Sequence, residues 1–136
     1  MTLTFQRLNA VPDEFKHLIT EDKLGELFYS DATHKYFLSE VSPIGVIAYT
    51  LDTISGKTYP RFIHVSIEPS FRASSAGKDF LSLTEMSLIS EGYTQSFAAI
   101  EHGKKYMQKT ALRYGFKEWH RDEDSVYYFK DLQESR

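Results

Sequence analysis

The chain has 136 residues, 41% of them hydrophobic and 15% aromatic, which is enough for one globular domain (1–136) that buries about two thirds of the surface its unfolded form exposes. A formal charge of -3 argues against a general nucleic-acid binder, which needs an excess of Lys and Arg to displace counterions from phosphates. Having no cysteine removes disulfides, thiolate nucleophiles and sulfur metal sites together.

From the start, Thr2 to Leu8 alternates, with Leu3 and Phe5 on one side and Thr4 and Gln6 on the other, which predicts a half-buried strand. Pro12 and Asp13 then open a helix whose apolar stripe is Phe15, Leu18 and Ile19. Thr20 reads as a new N-cap, and Leu24, Leu27 and Phe28 make a second stripe, so two short helices are expected from Asp13 to Tyr29. The opening MTLTFQRLNA lacks the basic-then-apolar pattern of a secretory signal, and no apolar run approaches ~18 residues. A soluble, cytoplasmic protein with no membrane partner is the expectation.

Tyr36 to Val41 and Ile44 to Leu51 are strand-like runs parted by Ser42-Pro43, and Ser55-Gly56 leads into a third, Thr58 to Glu68. The three predict an antiparallel meander. In the last of them Phe62, Ile63, Val65 and Ile67 are β-branched or aromatic, and Pro69 ends it because proline has no N–H for the ladder. A stretch of minimal side chains follows: Ala73, Ser74, Ser75, Ala76 and Gly77 leave the backbone amides uncovered. A helix beginning near Lys78 adds its positive N-terminal end. The outline is that of an anion cradle, although the same residues also make an ordinary turn and lack the spacing of a Walker loop or dinucleotide fingerprint.

Along that helix Phe80, Leu81, Leu83, Thr84 and Leu88 share one broad side, Met86 and Ile89 fall outside it, and Gly92 is a natural stop. Gln95 to Ile100 reads as a strand, and Lys104 to Tyr114 as a helix closed by Gly115. Phe116 to Trp119 and Val126 to Leu132 straddle the polar turn Arg121-Asp122-Glu123-Asp124 and predict a last hairpin. The fold class is α+β, in the order β-αα-βββ-α-β-α-ββ.

That order, with a proline-stopped strand feeding a small-residue loop and a helix, resembles the GCN5-related N-acetyltransferase (GNAT) family over nearly the whole chain. The family's loop motif, Arg or Gln, two residues, Gly, one residue, Gly or Ala, is met by Arg72-Ala73-Ser74-Ser75-Ala76-Gly77, with serine at the first glycine. A second landmark, a closing Gly-Phe, is met by Gly115-Phe116, and this register sets Lys104 where the family has Asn and Ala111 where it has Tyr. At about 100° per residue, Tyr114 lies roughly 60° from Ala111 around the helix and Tyr106 roughly 140°, so Tyr114 alone stays near the same face. A looser likeness runs to the short acetyltransferase-like proteins of bacteriophages.

The resemblance implies a mixed, mostly antiparallel central sheet flanked by helices, and acetyl-CoA as co-substrate. Loop residues Ala73, Ser74, Ser75, Ala76, Gly77 and Lys78 would hold its pyrophosphate, with Arg72 and Lys78 adding positive charge, and Lys104, at the family's Asn position, is a further cofactor-binding candidate. The main-chain edge at Val65 and Ile67 would bond the pantetheine amides as another strand would. Attack of an amine on the thioester needs a base, for which His64 and Glu68 alternate onto one face of the strand, and a donor for the leaving thiolate, for which Tyr114 is the candidate. Glu101 and His102 at the end of the next strand are further candidates for the base.

His17, His34, His64, His102 and His120 lie on different elements with no pair at metal-ligand spacing, so no metal is expected, and no serine sits in a nucleophile-elbow setting. Two functions follow: an acetyl-CoA-dependent N-acetyltransferase acting on an amine of a small molecule or protein, or a non-catalytic protein of the same fold that binds another macromolecule. Nine tyrosines and ten phenylalanines leave room for a homodimer seam or a protein partner.

Overall fold

The structure is a computed structural model that describes residues 3–19, 26, 28–30, 32–72 and 74–132. Seven strands, β1 (Thr4–Arg7), β2 (His34–Ser39), β3 (Pro43–Ile54), β4 (Lys57–Ile67), β5 (Gln95–Glu101), β6 (Lys117–Arg121) and β7 (Ser125–Asp131), form one sheet in the order β1-β2-β3-β4-β5-β7-β6. The β1/β2, β2/β3, β5/β7 and β6/β7 pairs are antiparallel, and β4/β5 is parallel. A parallel pair needs a crossover, here the helix Ala76–Ser90. The expected mixed, mostly antiparallel sheet is therefore present, with the predicted third strand of the meander at its centre. No helix among the described residues is long and apolar enough to cross a membrane.

Contacts divide the chain into two compact units, Met1–Thr50 with Ile63–Ser87 and Leu51–Phe62 with Leu88–Arg136. In the first, β2 is buried on both faces, which explains its unbroken apolar run Tyr36-Phe37-Leu38. Alternation sends Phe37 to one face, where Phe15, Leu18, Ile19 and Phe28 pack on Phe37, Val46 and Ala48. Tyr36 points to the other, stacked on Phe5 at 5.2 Å, with its hydroxyl 2.8 Å from Ser87 Oγ on the long helix. That helix buries Phe80, Leu81, Thr84 and Leu88 and exposes Met86 and Ile89, the division its sequence predicts.

The first predicted helix differs in type. Asp13–Leu18 is a 3₁₀ helix. Six residues are too few to offset the cost of nucleating an α-helix, and Ile19 is already extended at φ -103, ψ 127, so the tighter turn suffices to bury Phe15 and Leu18. The second predicted helix lies mostly outside the described residues, although Phe28 is fully buried as its stripe implied.

In the second unit, β7 is the shared strand, with Phe97↔Phe129 and Lys117↔Phe129 in register. The helix Lys105–Arg113 ends in a Schellman motif: Phe116 N–H donates to Ala111 O at 3.0 Å and Gly115 N–H to Leu112 O at 3.1 Å. Gly115 has φ 94, a value only glycine adopts without strain. The hairpin turn is built by Asp122, whose Oδ1 accepts the N–H groups of Asp124 (2.9 Å) and Ser125 (2.8 Å).

Candidate functional site

In the first unit the site begins where β4 ends. The parallel ladder pairs Arg61↔Phe97 and Phe62↔Ala98, and β4 runs five residues further, to Ile67, through half-buried positions. Its end is pinned on β3: Glu68 N–H donates to Ile44 O at 2.7 Å, and Gly45 lies so close that a Cβ there would stand 2.9 Å from Ser66 O. Only a residue without a side chain permits that approach.

Beyond Glu68 the chain turns through the 3₁₀ segment Pro69–Phe71, and Arg72 Nε donates back to Ile67 O at 3.0 Å, tying the basic residue to the strand end. Ala73 lies outside the described residues. Ser74 Oγ donates to Phe71 O (2.7 Å) and accepts from Ala76 N–H (3.2 Å), so it acts as a cap at the helix start. The helix opens at Ala76, two residues before the expected start, which moves Ala76, Gly77 and Lys78 from the loop into its first turn. First-turn N–H groups have no partner within the helix, and Ser74 takes that of Ala76. The N–H groups of Gly77 and Lys78 thus face the helix N-terminus. Exposed Arg72 and Lys78 add two positive charges and exposed Asp79 one negative, a residue the sequence reading passed over. Ser75 Oγ donates to Asp79 Oδ2 at 3.2 Å.

The candidate bases separate. His64 sits edge-on to Phe28, ring centroids 5.4 Å apart, as a packed half-buried residue. Glu68 is paired: His17 Nε2 lies 2.6 Å from Glu68 Oε2. This pair has no signature in the sequence, because 51 residues separate its members and His17 is one of five scattered histidines.

In the second unit Lys104 precedes the helix Lys105–Arg113, with its Nζ 3.6 Å from Glu101 Oε1. Gln108, unflagged by sequence, donates from Nε2 to Glu101 O (2.9 Å) and His102 O (3.1 Å), fastening the helix to the end of β5. Met107, Ala111 and Tyr114 are half-buried along one side, whereas Tyr106 is 63% exposed, so Tyr114 does share the side of Ala111. His102 Nε2 lies 2.7 Å from Asp122 O. The N–H groups of Ser125 and Asp124, and the hydroxyl of Tyr127 at 3.0 Å, hold the Asp122 carboxyl below its ordinary range; the same bond raises the Tyr127 phenol. Asp122 is thus spent on its own turn. A hollow of about 300 Å³ walled by Tyr59, Phe97, Trp119 and Phe129 also belongs to this unit, and no predicted site residue lines it.

No protein-family model matches the sequence, and no curated protein matches it. Solved structures do match. An acetyltransferase from Bacillus subtilis in complex with CoA superposes with a TM-score of 0.75 at 14% identity, covering 96% of this chain and 99% of that one. A GNAT-family acetyltransferase from Elizabethkingia anophelis with acetyl-CoA bound gives 0.74 at 11%, covering 95% and 97%. A GNAT-family acetyltransferase from Staphylococcus aureus Mu50 gives 0.72 at 12%, covering 96% and 99%. The fold is that of the GNAT acyl-CoA N-acyltransferases.

Proposed function

We propose that the chain is an acetyl-CoA-dependent N-acetyltransferase. The observation that carries this reading is the β4–turn–helix of the first unit: an acetyltransferase-fold strand end pinned at Glu68, then Arg72, two serines and a helix whose first turn holds Gly77 and Lys78. These residues fit a pyrophosphate, since backbone N–H groups, a helix N-terminus and two cations converge on one short segment with a single opposing carboxylate at Asp79. Val65 and Ile67 offer main-chain groups to the pantetheine amides, as an added strand would require.

The reaction is direct transfer. The acceptor ammonium loses one proton at the Glu68 corner, the free amine attacks the thioester carbonyl, the C–S bond of the adduct breaks to release the thiolate of CoA, and the nitrogen gives its second proton to water to leave the N-acetyl amine. Ala111 occupies the position where the fold family carries a tyrosine, so that thiolate leaves without the usual proton donor. A thiol titrates at about 8 to 9, which makes a donor helpful without being indispensable.

Turnover of acetyl-CoA with a panel of amines, followed by thiol release, tests this reading in three proteins. Ala111→Tyr is expected to raise the rate, and Tyr114→Phe to leave it nearly unchanged because half-buried Tyr114 contributes packing. A loss of about 10²- to 10⁴-fold in Tyr114→Phe, with folding intact, would make Tyr114 the general acid instead. Absence of turnover in all three, with every amine, would overturn the reading.

A further inference from the structure

The pair His17–Glu68 bears on how the acceptor is deprotonated, and the inference rests on the acetyltransferase reading above. An ionised carboxylate only accepts hydrogen bonds, so across the 2.6 Å contact Nε2 is the nitrogen that donates to Glu68, and Nδ1 is the nitrogen turned away from it. Both partners are held. Phe15 and Leu18 are buried on either side of His17 within the 3₁₀ helix, and Glu68 is fixed by its N–H on Ile44 O and its C=O accepting from Phe71 N–H at 2.8 Å. The His17 side chain is 54% exposed against 28% for Glu68, so the imidazole is the partner open to solvent.

We infer that His17 is the group that takes the proton from the acceptor amine, with Glu68 as the carboxylate that orients it. The ammonium N–H bond breaks, the proton goes to Nδ1, and the free amine keeps the electron pair that forms the new C–N bond. Glu68 stays ionised opposite the imidazolium, and the exposed ring then yields its proton to water. This is the division of labour of a histidine–carboxylate pair in hydrolases, reached here by two elements 51 residues apart. The other charged and titratable groups on these segments are engaged elsewhere: Lys16 Nζ is 2.7 Å from Asp13 Oδ1, Arg72 bonds Ile67 O, and His64 packs on Phe28, while Glu14 is exposed.

Three proteins decide the matter: wild type, His17→Ala and His17→Gln. Each is assayed for thiol release from acetyl-CoA with spermidine, free lysine and a peptide with an unblocked N-terminus, and each is titrated with CoA by calorimetry. Glutamine keeps a donor toward Glu68 but has no site for a proton. Both variants are expected to lose about 10²- to 10⁴-fold in kcat on whichever amine the wild type uses, with KM for acetyl-CoA and CoA affinity unchanged. Wild-type kcat in His17→Gln overturns the proposal and returns the base to Glu68 or water, even though the acetyltransferase reading stands. A wild type that neither binds CoA nor turns over any amine overturns that reading, and this proposal with it.

Discussion

Glutamate in place of Ser75 is expected to abolish coenzyme A binding while leaving the fold intact. Ser75 is exposed, its C=O accepts Asp79 N–H at 2.9 Å, and it precedes the helix start, where an acidic side chain is tolerated and even favoured in the free protein. The nearby charges now sum to +1, from Arg72, Lys78 and Asp79, and the substitution takes them to zero. It also sets a second carboxylate where the pyrophosphate is proposed to approach the backbone. Each like-charge pair at about 4 Å is worth roughly 4 kcal/mol near a protein surface, or on the order of a thousandfold in affinity. Calorimetry reads the result, and unchanged affinity in a folded variant would place the anion site away from this loop.

Gly45→Val is expected to destabilise the first unit strongly. A Cβ at this position meets Ile67 Cδ1 at 2.8 Å, Ser66 O at 2.9 Å and Phe80 Cδ2 at 3.1 Å. Ile67 can change rotamer, but Ser66 O is backbone, so β3 and β4 must move apart. Overpacking of this kind costs about 1–3 kcal/mol, and valine's two methyls put it at the upper end, near a 10 °C fall in Tm. The same displacement moves Ser66 and Ile67, the strand end proposed to bond pantetheine, so CoA affinity falls as well. Thermal melts by circular dichroism check the first part; a variant that melts with the wild type would mean that β3 and β4 do not approach this closely.

Strands were legible because their side-chain period is visible locally: Tyr36 and Phe37 to opposite faces, the apolar run of β4 stopped at Pro69, the polar turn before β7. The turn after β4 was legible for the same reason, since small residues and a helix start are adjacent in sequence. What tertiary contact decides was not. A six-residue segment with good helical spacing became 3₁₀ because its length, not its pattern, set the outcome. Lys35 is 1% exposed on a strand whose neighbours are aromatic, and it is tolerated because Nζ donates to Ser30 O and Thr33 O, carbonyls supplied by the preceding turn. Gln108 reads as an ordinary surface residue of a short helix, yet it fastens that helix to two carbonyls at the end of β5. The His17–Glu68 pair, joining the first helical turn to the end of β4, has no local signature at all.

On the reading proposed above, this acetyltransferase fold holds coenzyme A on the segment from Val65 to Lys78. Titration of the wild-type protein with coenzyme A by calorimetry tests it most directly. Saturable binding at one site, lost in Ser75→Glu, is expected. Silence up to millimolar ligand in a folded protein would contradict it, and would favour a chain that keeps the fold to bind another macromolecule.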